Sequence, residues 1–156
     1  MQIVADLKFD DLDKVLSKRG LGTSKEVQKV IDSECIRLMA PYTPNLNGVL
    51  IDSATTHTVI GSGRIIQSTP YARYQYYGLL MVDPITLKGS FYDSKTGRHW
   101  SRPGVSKIMD PQGRKLVHNQ VKSPMAGPYW FDRMAKDHKE DIGKAAALVA
   151  GGDFKK

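Results

Sequence analysis

Side chains that could bind a metal or act as a nucleophile are few and widely spaced in this sequence. The histidines are His57, His99, His118 and His138, and none has a second His or Cys nearby at the spacing of metal ligands. Zinc sites are built from closely spaced His and Cys ligands, so we expect no metal site. The single cysteine, Cys35, lies in an apolar helical pattern, which is typical of a small core residue rather than a catalytic thiol.

Two further patterns are compatible with chemistry but lack essential parts. Gly61-Ser62-Gly63 resembles half of a phosphate-binding turn, yet the further glycines and the Lys-Ser/Thr pair are missing. We predict a hairpin turn there. The acidic residues Asp132, Asp137, Glu140 and Asp141 alternate with Lys and Arg on one predicted helix. This favours solvated pairs over a general acid and base. We therefore expect no catalytic residues, no cofactor and no enzymatic activity.

The composition fits one domain over residues 1–156 whose core is thin. Apolar residues make up 40% of the 156, slightly below the usual share. Contact with other copies would complete the burial, and a loop-rich monomer is the alternative. No apolar run approaches the ~20 residues that span a bilayer, so we expect no membrane partner.

Hydrophobic periodicity and turn residues predict an α+β fold, a twisted antiparallel sheet with packed helices. Residues 24–40 carry apolar side chains at helical spacing, and the sequence from Thr23 to Glu26 has the form of a capping box. Residues 47–60 are rich in β-branched side chains and predict a hairpin with 64–68. The remaining predicted elements are a strand in residues 2–9, short helices at 12–16 and 70–78, and a long C-terminal helix over 127–150.

Residues 79–123 differ from the rest of the chain, since turn signals are frequent and apolar residues are sparse. We predict an extended β-rich arm or hairpin insertion there, which we call the arm. Residues 88–122 hold eight Lys or Arg against two Asp, about +6 of the chain's formal +7. A solvated basic face is one interpretation, and contact with DNA or an acidic neighbour is the other. The candidate contact residues are Arg98, Arg102, Lys107, Arg114 and Lys115.

Aromatic residues are concentrated at two places, residues 71–77 and 129–131. They are candidates either for the core or for a subunit interface, because Tyr and Trp anchor both. No predicted strand carries a stacking platform, so binding of single-stranded nucleic acid is disfavoured. The candidate interface residues are Tyr71, Tyr74, Tyr76, Tyr77 and Trp130.

Three motifs occur in a fixed order between residues 24 and 148. The first is Ala40-Pro41-Tyr42-Thr43-Pro44 followed by Gly48-Val49-Leu50 and Ser53. The second occupies residues 70–78, with Tyr71-Ala72 and Gly78, and the third occupies residues 124–134 together with Asp137-His138-Lys139. In this combination the chain resembles the minor capsid and neck family of long-tailed bacteriophages, in the form found in phages of Gram-positive hosts.

The resemblance implies a small α+β fold and a structural role in head closure, neck formation or tail completion. Family members form rings around the DNA channel, and six copies are favoured over twelve. The implied partners are copies of the chain, other neck, head-closure and tail proteins, and the DNA in the channel. The implied location is the head–tail junction of the virion, assembled in the host cytoplasm. The arm is longer than in the shorter family members. A free basic nucleic-acid-binding module is the alternative.

Overall fold

The structure, a computed structural model, describes residues 3–5 and 25–152. Its helices there are α1 (Lys25–Met39), α2 (Val49–His57), α3 (Ala72–Tyr77) and α4 (Trp130–Val149), with a 3₁₀ turn at Ala40–Tyr42. The strands are β1 (Ile3–Ala5), β2 (Ile65–Gln67), β3 (Met81–Val82), β4 (Phe91–Asp93), β5 (Arg98–Trp100) and β6 (Ile108–Met109). The predicted α+β class and long C-terminal helix are confirmed. The helix predicted for residues 12–16 and the capping residue Thr23 lie outside the described residues.

The two long helices, α1 and α4, pack against each other and form the centre of the body. The predicted stripe of α1 is buried at Val27, Ile31 and Cys35, and α4 contributes Met134 and Ile142. Spacings of three and four residues place these side chains on one face of each helix. The periodicity therefore predicted both the helices and the faces that they bury.

The hairpin predicted for residues 47–60 is wrong, because this stretch forms α2. Gly48 takes a left-handed conformation with φ 84°, and the side chain of Asn45 accepts its N–H at 3.0 Å. The helix that follows buries Leu50 and Ala54, which are four residues apart. The turn held by the bond from Gly48 to Asn45 and this buried pair outweigh the strand preference of the β-branched residues.

The antiparallel pairing is divided among three two-stranded ladders in the described part of the chain. β1 pairs with β2, with Ile3 opposite Gln67 and Ala5 opposite Ile65. The strands predicted within residues 2–9 and 64–68 therefore exist, but they pair with each other. The other two ladders, β3–β6 and β4–β5, both lie in the arm.

The three motifs that carry the family resemblance meet in the core. Trp130 is fully buried, and its indole N–H donates to Oε1 of Gln67 at 2.9 Å. The amide of Gln67 donates in turn to the carbonyl of Leu50 at 3.1 Å. The ring of Tyr76 meets the Trp130 ring edge to face, with 4.8 Å between centroids. Residues of all three motifs thus depend on one another for burial.

Two acidic residues of α4 bind tyrosines, which corrects the prediction that they form solvated ion pairs. The hydroxyl of Tyr42 donates to Asp137 at 2.7 Å, and that of Tyr76 donates to Asp132 at 2.5 Å. Burial and the bond to Asp132 raise the pKa of Tyr76 well above its ordinary value. The two carboxylates fix the 3₁₀ turn and α3 on α4.

Candidate interaction surface

The arm leaves the body as a pair of antiparallel segments directly after α3. Gly78 ends α3 in a left-handed conformation with φ 64°, which glycine adopts without strain. Its carbonyl accepts the N–H of Leu116 at 3.0 Å, and Leu79 forms a bridge with Lys115. The β3–β6 ladder continues this pairing outward. The base of the arm is therefore held by backbone hydrogen bonds.

A buried carboxylate, Asp83, stabilises the part of the arm that follows β3. It accepts the N–H groups of Ile85 and Thr86, both at 2.9 Å, and the Nε of Arg102 at 2.7 Å. Arg102 also forms a second bond to the same carboxylate, so the pair is bidentate. The bond from Arg102, followed by that from Thr86, holds the pKa of Asp83 well below its usual range.

A second carboxylate, Asp110, directly follows β6 and stabilises the returning segment of the arm in the same way. Nε of Arg114 donates to it at 2.6 Å, and the other nitrogen of the fork donates to the carbonyl of Leu87 at 2.7 Å. This contact with Arg114 lowers the pKa of Asp110. Lys107 donates to the carbonyl of Gly89. Three of the five predicted basic contact residues, Arg102, Lys107 and Arg114, are thus engaged within the arm.

The other two basic residues, Arg98 and Lys115, are exposed. Their side chains form no hydrogen bond or ion pair with the described residues. Their charges are therefore available to a partner.

We expect the arm to loosen selectively in acid. Because the folded-state pKa values of Asp83 and Asp110 are depressed, their contribution to stability is complete above the ordinary Asp pKa, about 3.9. It is lost as the pH falls through the lower folded values. Amide NMR should show the Ile85 and Thr86 N–H signals still at native positions near the ordinary Asp pKa of about 3.9, and moving to random-coil positions only well below it.

The indole N–H signal of Trp130 is the internal control for this titration, because it reports on the core instead of the arm. Asp83→Asn should give the same loosening at neutral pH, since the amide cannot neutralise Arg102. Loss of the arm signals centred at the ordinary Asp pKa, about 3.9, would contradict the assignment, because neither carboxylate would then be held ionised in the folded arm.

The distal end of the arm is a hairpin formed by β4 and β5, residues 90–101. Phe91 lies opposite Trp100, and their rings stack with 4.7 Å between centroids. Tyr92 lies opposite His99 on the other face. Tyr92 is 62% exposed and Trp100 is 48% exposed. The prediction that no strand carries a stacking platform is therefore wrong. Within the described residues, both outer edges of the ladder are unpaired.

A groove of about 390 Å³ lies at the opposite end of the arm, against the body. It is bounded by the loop before α2, by α3 and by the segment after β6. Leu46 and Val117 line it and are 77% and 90% exposed. Leu50 of α2, Tyr71 just before α3 and Gln75 of α3 also line it. The other lining residues are Pro44, Asn45, Asn47, Gly48, His118 and Asn119. The lining is mainly apolar and includes no Lys, Arg, Asp or Glu.

The predicted interface aromatics divide between the core and the surface. Trp130 and Tyr76 are buried within the single chain, so the core interpretation applies to them and neither is available to a partner. Tyr74 is partly buried. Tyr71 lines the groove, and Tyr77 is exposed with its ring edge-to-face against Tyr76. Whether each tyrosine is buried or exposed depends on its packing against α4, which cannot be inferred from the spacing of the tyrosines.

The thiol of Cys35 and the carboxylate of Asp32 have structural roles in the described part of the chain. Burial, and then the nearby Asp32, raises the pKa of the Cys35 thiol to about 12, which disfavours the thiolate. The carboxylate of Asp32 accepts the N–H groups of Gly61 at 2.7 Å and Gly63 at 3.2 Å. The described residues contain no cluster of His, Cys, Asp or Glu suited to a metal ion. In the same part of the chain, no helix has the length and apolarity needed to cross a membrane.

Sequence reasoning missed the carboxylates Asp83 and Asp110, which organise the arm. Asp110 precedes Arg114 by four residues, and both carboxylates stand before a proline in a turn. These signals identified turns, but the partner Arg102 lies nineteen residues from Asp83. The groove carried no local signal, since three separate segments form it. Comparison of the chain with models of protein families, with curated proteins and with solved structures found no match.

Proposed function

We propose that this chain is a structural subunit of a long-tailed bacteriophage, without enzymatic activity, that forms part of a ring in the neck between head and tail. Its body packs beside other copies around the DNA channel, and its arm reaches an adjacent subunit. Its partners are copies of itself, other neck, head-closure and tail proteins, and the DNA that passes through the ring.

The observation that carries the assembly role is the apolar surface of the arm. Scattered exposed apolar residues are ordinary, but concentration of so many on one extended segment is typical of protein–protein contact surfaces. The arm also holds its own shape through two buried carboxylates, so a partner meets an ordered surface. The exposed large apolar residues between 79 and 123 are Ile85, Tyr92, Trp100, Val105, Ile108, Met109, Val117 and Val121.

The choice of the phage neck rests on the family resemblance of the three motifs. Their mutual packing supports it, because residues that jointly form one core are those that define a fold. Tyr76 of the second motif and Trp130 of the third, for example, meet edge to face with 4.8 Å between ring centroids. A fold resemblance alone does not identify a function, so the neck assignment needs its own experiment.

The second candidate is a nucleic-acid-binding module, and the exposed charges of Arg98 and Lys115 favour it. Binding of this type depends on phosphate contacts and weakens steeply as salt rises. The engagement of Arg102, Lys107 and Arg114 within the arm leaves fewer free cations for it. This difference favours the ring subunit.

Native mass spectrometry and electron microscopy of the purified full-length chain test the proposal. We expect closed rings, with six copies favoured over twelve, and localisation of labelled protein at the head–tail junction of particles. A monomer at all concentrations that binds duplex DNA in a salt-dependent manner would support the second candidate. Turnover of a substrate by the monomer would contradict both.

A further inference from the structure

The chain carries an exposed aromatic hairpin and an apolar groove at opposite ends of the same arm. The hairpin lies beyond the β3–β6 ladder and the Asp83 turn. The groove lies at the base, where Val117 follows the bond between Leu116 and Gly78. The paired base of the arm therefore separates the hairpin of one chain from its own groove.

We propose that the hairpin of one copy inserts the Phe91–Trp100 stack into the groove of the neighbouring copy. This inference rests on the proposed function, because it names the contact that would close the ring. A contact between two different patches of identical chains is heterologous, and repetition of such a contact produces rings. The groove's volume, about 390 Å³, falls in the usual range of about 300–1,000 Å³ for binding pockets.

The charges beside the two surfaces are complementary. Arg98 is two residues from Trp100, so alternation along β5 puts both on the same face of the hairpin. Asp93 lies opposite Arg98 on this face, but its carboxylate accepts hydrogen bonds from Lys95 and Thr96 in the turn and forms no ion pair with Arg98. Asp52 lies at the edge of the groove, with its Oδ2 3.3 Å from where a Cβ on Gly48 would stand. Neither side chain has an ion-pair partner among the described residues. Lys122 donates to the carbonyl of Leu46, a residue of the groove lining, at 2.9 Å.

The same hairpin is less suited to nucleic acid. Residues 90–101 hold Lys95 and Arg98 against Asp93, a formal charge of about +1. One face of the Trp100 ring is covered by Phe91, which leaves less area on which a base could stack. A single unpaired guanidinium beside an aromatic pair suits a protein groove with one carboxylate at its edge.

Complementation between two variants tests the inference. Trp100→Ala removes the inserted side chain, and Val117→Asp places a charge in the groove. Both positions are exposed, so each variant should fold, as circular dichroism would verify. Each should raise the concentration for half assembly by roughly 30-fold or more. In a mixture of the two variants, the intact hairpin of the Val117→Asp chain can insert into the intact groove of the Trp100→Ala chain. Because the other hairpin and the other groove are defective, the mixture should form dimers and no larger assembly.

A charge exchange provides the second test. Arg98→Asp and Asp52→Arg should each weaken assembly, and the double variant should recover it. Val59→Asp is the matched control, since Val59 is exposed but lies outside both surfaces. Undiminished rings in the Trp100 and Val117 variants would overturn this inference and leave the ring proposal standing. Loss of single-stranded oligonucleotide binding in Trp100→Ala, with assembly unchanged, would also overturn it. An unmodified chain that never assembles would refute both.

Discussion

Replacing Trp130 by alanine is expected to lower the free energy of unfolding by about 3–5 kcal/mol. The side chain is fully buried, so its removal leaves a large cavity between α3 and α4. Its loss also leaves Oε1 of the buried Gln67 without the indole N–H that it accepts. Typical domains have only about 5–15 kcal/mol of total stability. The expected loss is therefore at least about a fifth of the stability of a typical domain.

Urea denaturation followed by circular dichroism measures this loss. Trp130→Phe should cost less, since the phenyl ring fills part of the cavity although it cannot donate to Gln67. Tyr77→Ala is the matched control on the surface, because Tyr77 is exposed beside the same cluster. A loss below about 1 kcal/mol for Trp130→Ala, typical of surface positions, would show that this residue does not belong to the core.

The sequence predicted the helices best where one face is buried along its whole length. α1 and α4 carry apolar residues at helical spacing, and both lie where that spacing predicts. In α2 the threonines suggested a strand, although Leu50 and Ala54 already showed the spacing of a short helix. The deciding interactions there are the hydrogen bond from the Gly48 N–H to Asn45 and burial against β2, and propensity describes neither.

The candidate surface was predicted in extent but not in detail. Turn residues and basic charge located the arm, and the structure contains two ladders there. Which charges remain available depends on Asp83 and Asp110, whose burial could not be inferred from their position in turns. Whether Trp130 lies in the core or at an interface depends on Gln67 and Tyr76, distant in sequence. Long-range packing determines both outcomes, and a single sequence does not encode it in a local pattern.

The Gly61-Ser62-Gly63 turn connects a sequence motif with a structural role that was not foreseen. Its glycines take positive φ values of 92° and 73°, so that two N–H groups point toward one place. Such turns bind anions, which explains the partial likeness to a phosphate-binding turn. The anion here is the carboxylate of Asp32 in α1, 29 residues before Gly61. Asp32 therefore takes the place of a bound anion, and it joins α1 to the turn that precedes β2.

Asp32→Ala is accordingly expected to destabilise the fold by about 2–4 kcal/mol. Asp32 is buried, and it accepts the amide of Gln28 at 2.7 Å besides the two glycine N–H groups. The substitution leaves all three donors without this acceptor, and bonds to charged groups contribute about 1.5–3 kcal/mol each. The total is smaller than their sum because Gln28, Gly61 and Gly63 are all partly exposed, so that water replaces part of each bond. Urea denaturation of the variant gives the size of the effect.

Two controls separate anion binding by the turn from a general effect of removing charge on α1. Glu34→Ala removes a carboxylate from the same helix, but its pair with Arg37 is a surface pair worth about 0–1 kcal/mol. Phosphate should also stabilise Asp32→Ala more than chloride at equal ionic strength, because the vacated turn can bind it and ligand binding favours the folded state. Equal stability of the Asp32 and Glu34 variants, with no specific effect of phosphate, would contradict the role of this turn in joining α1 to β2.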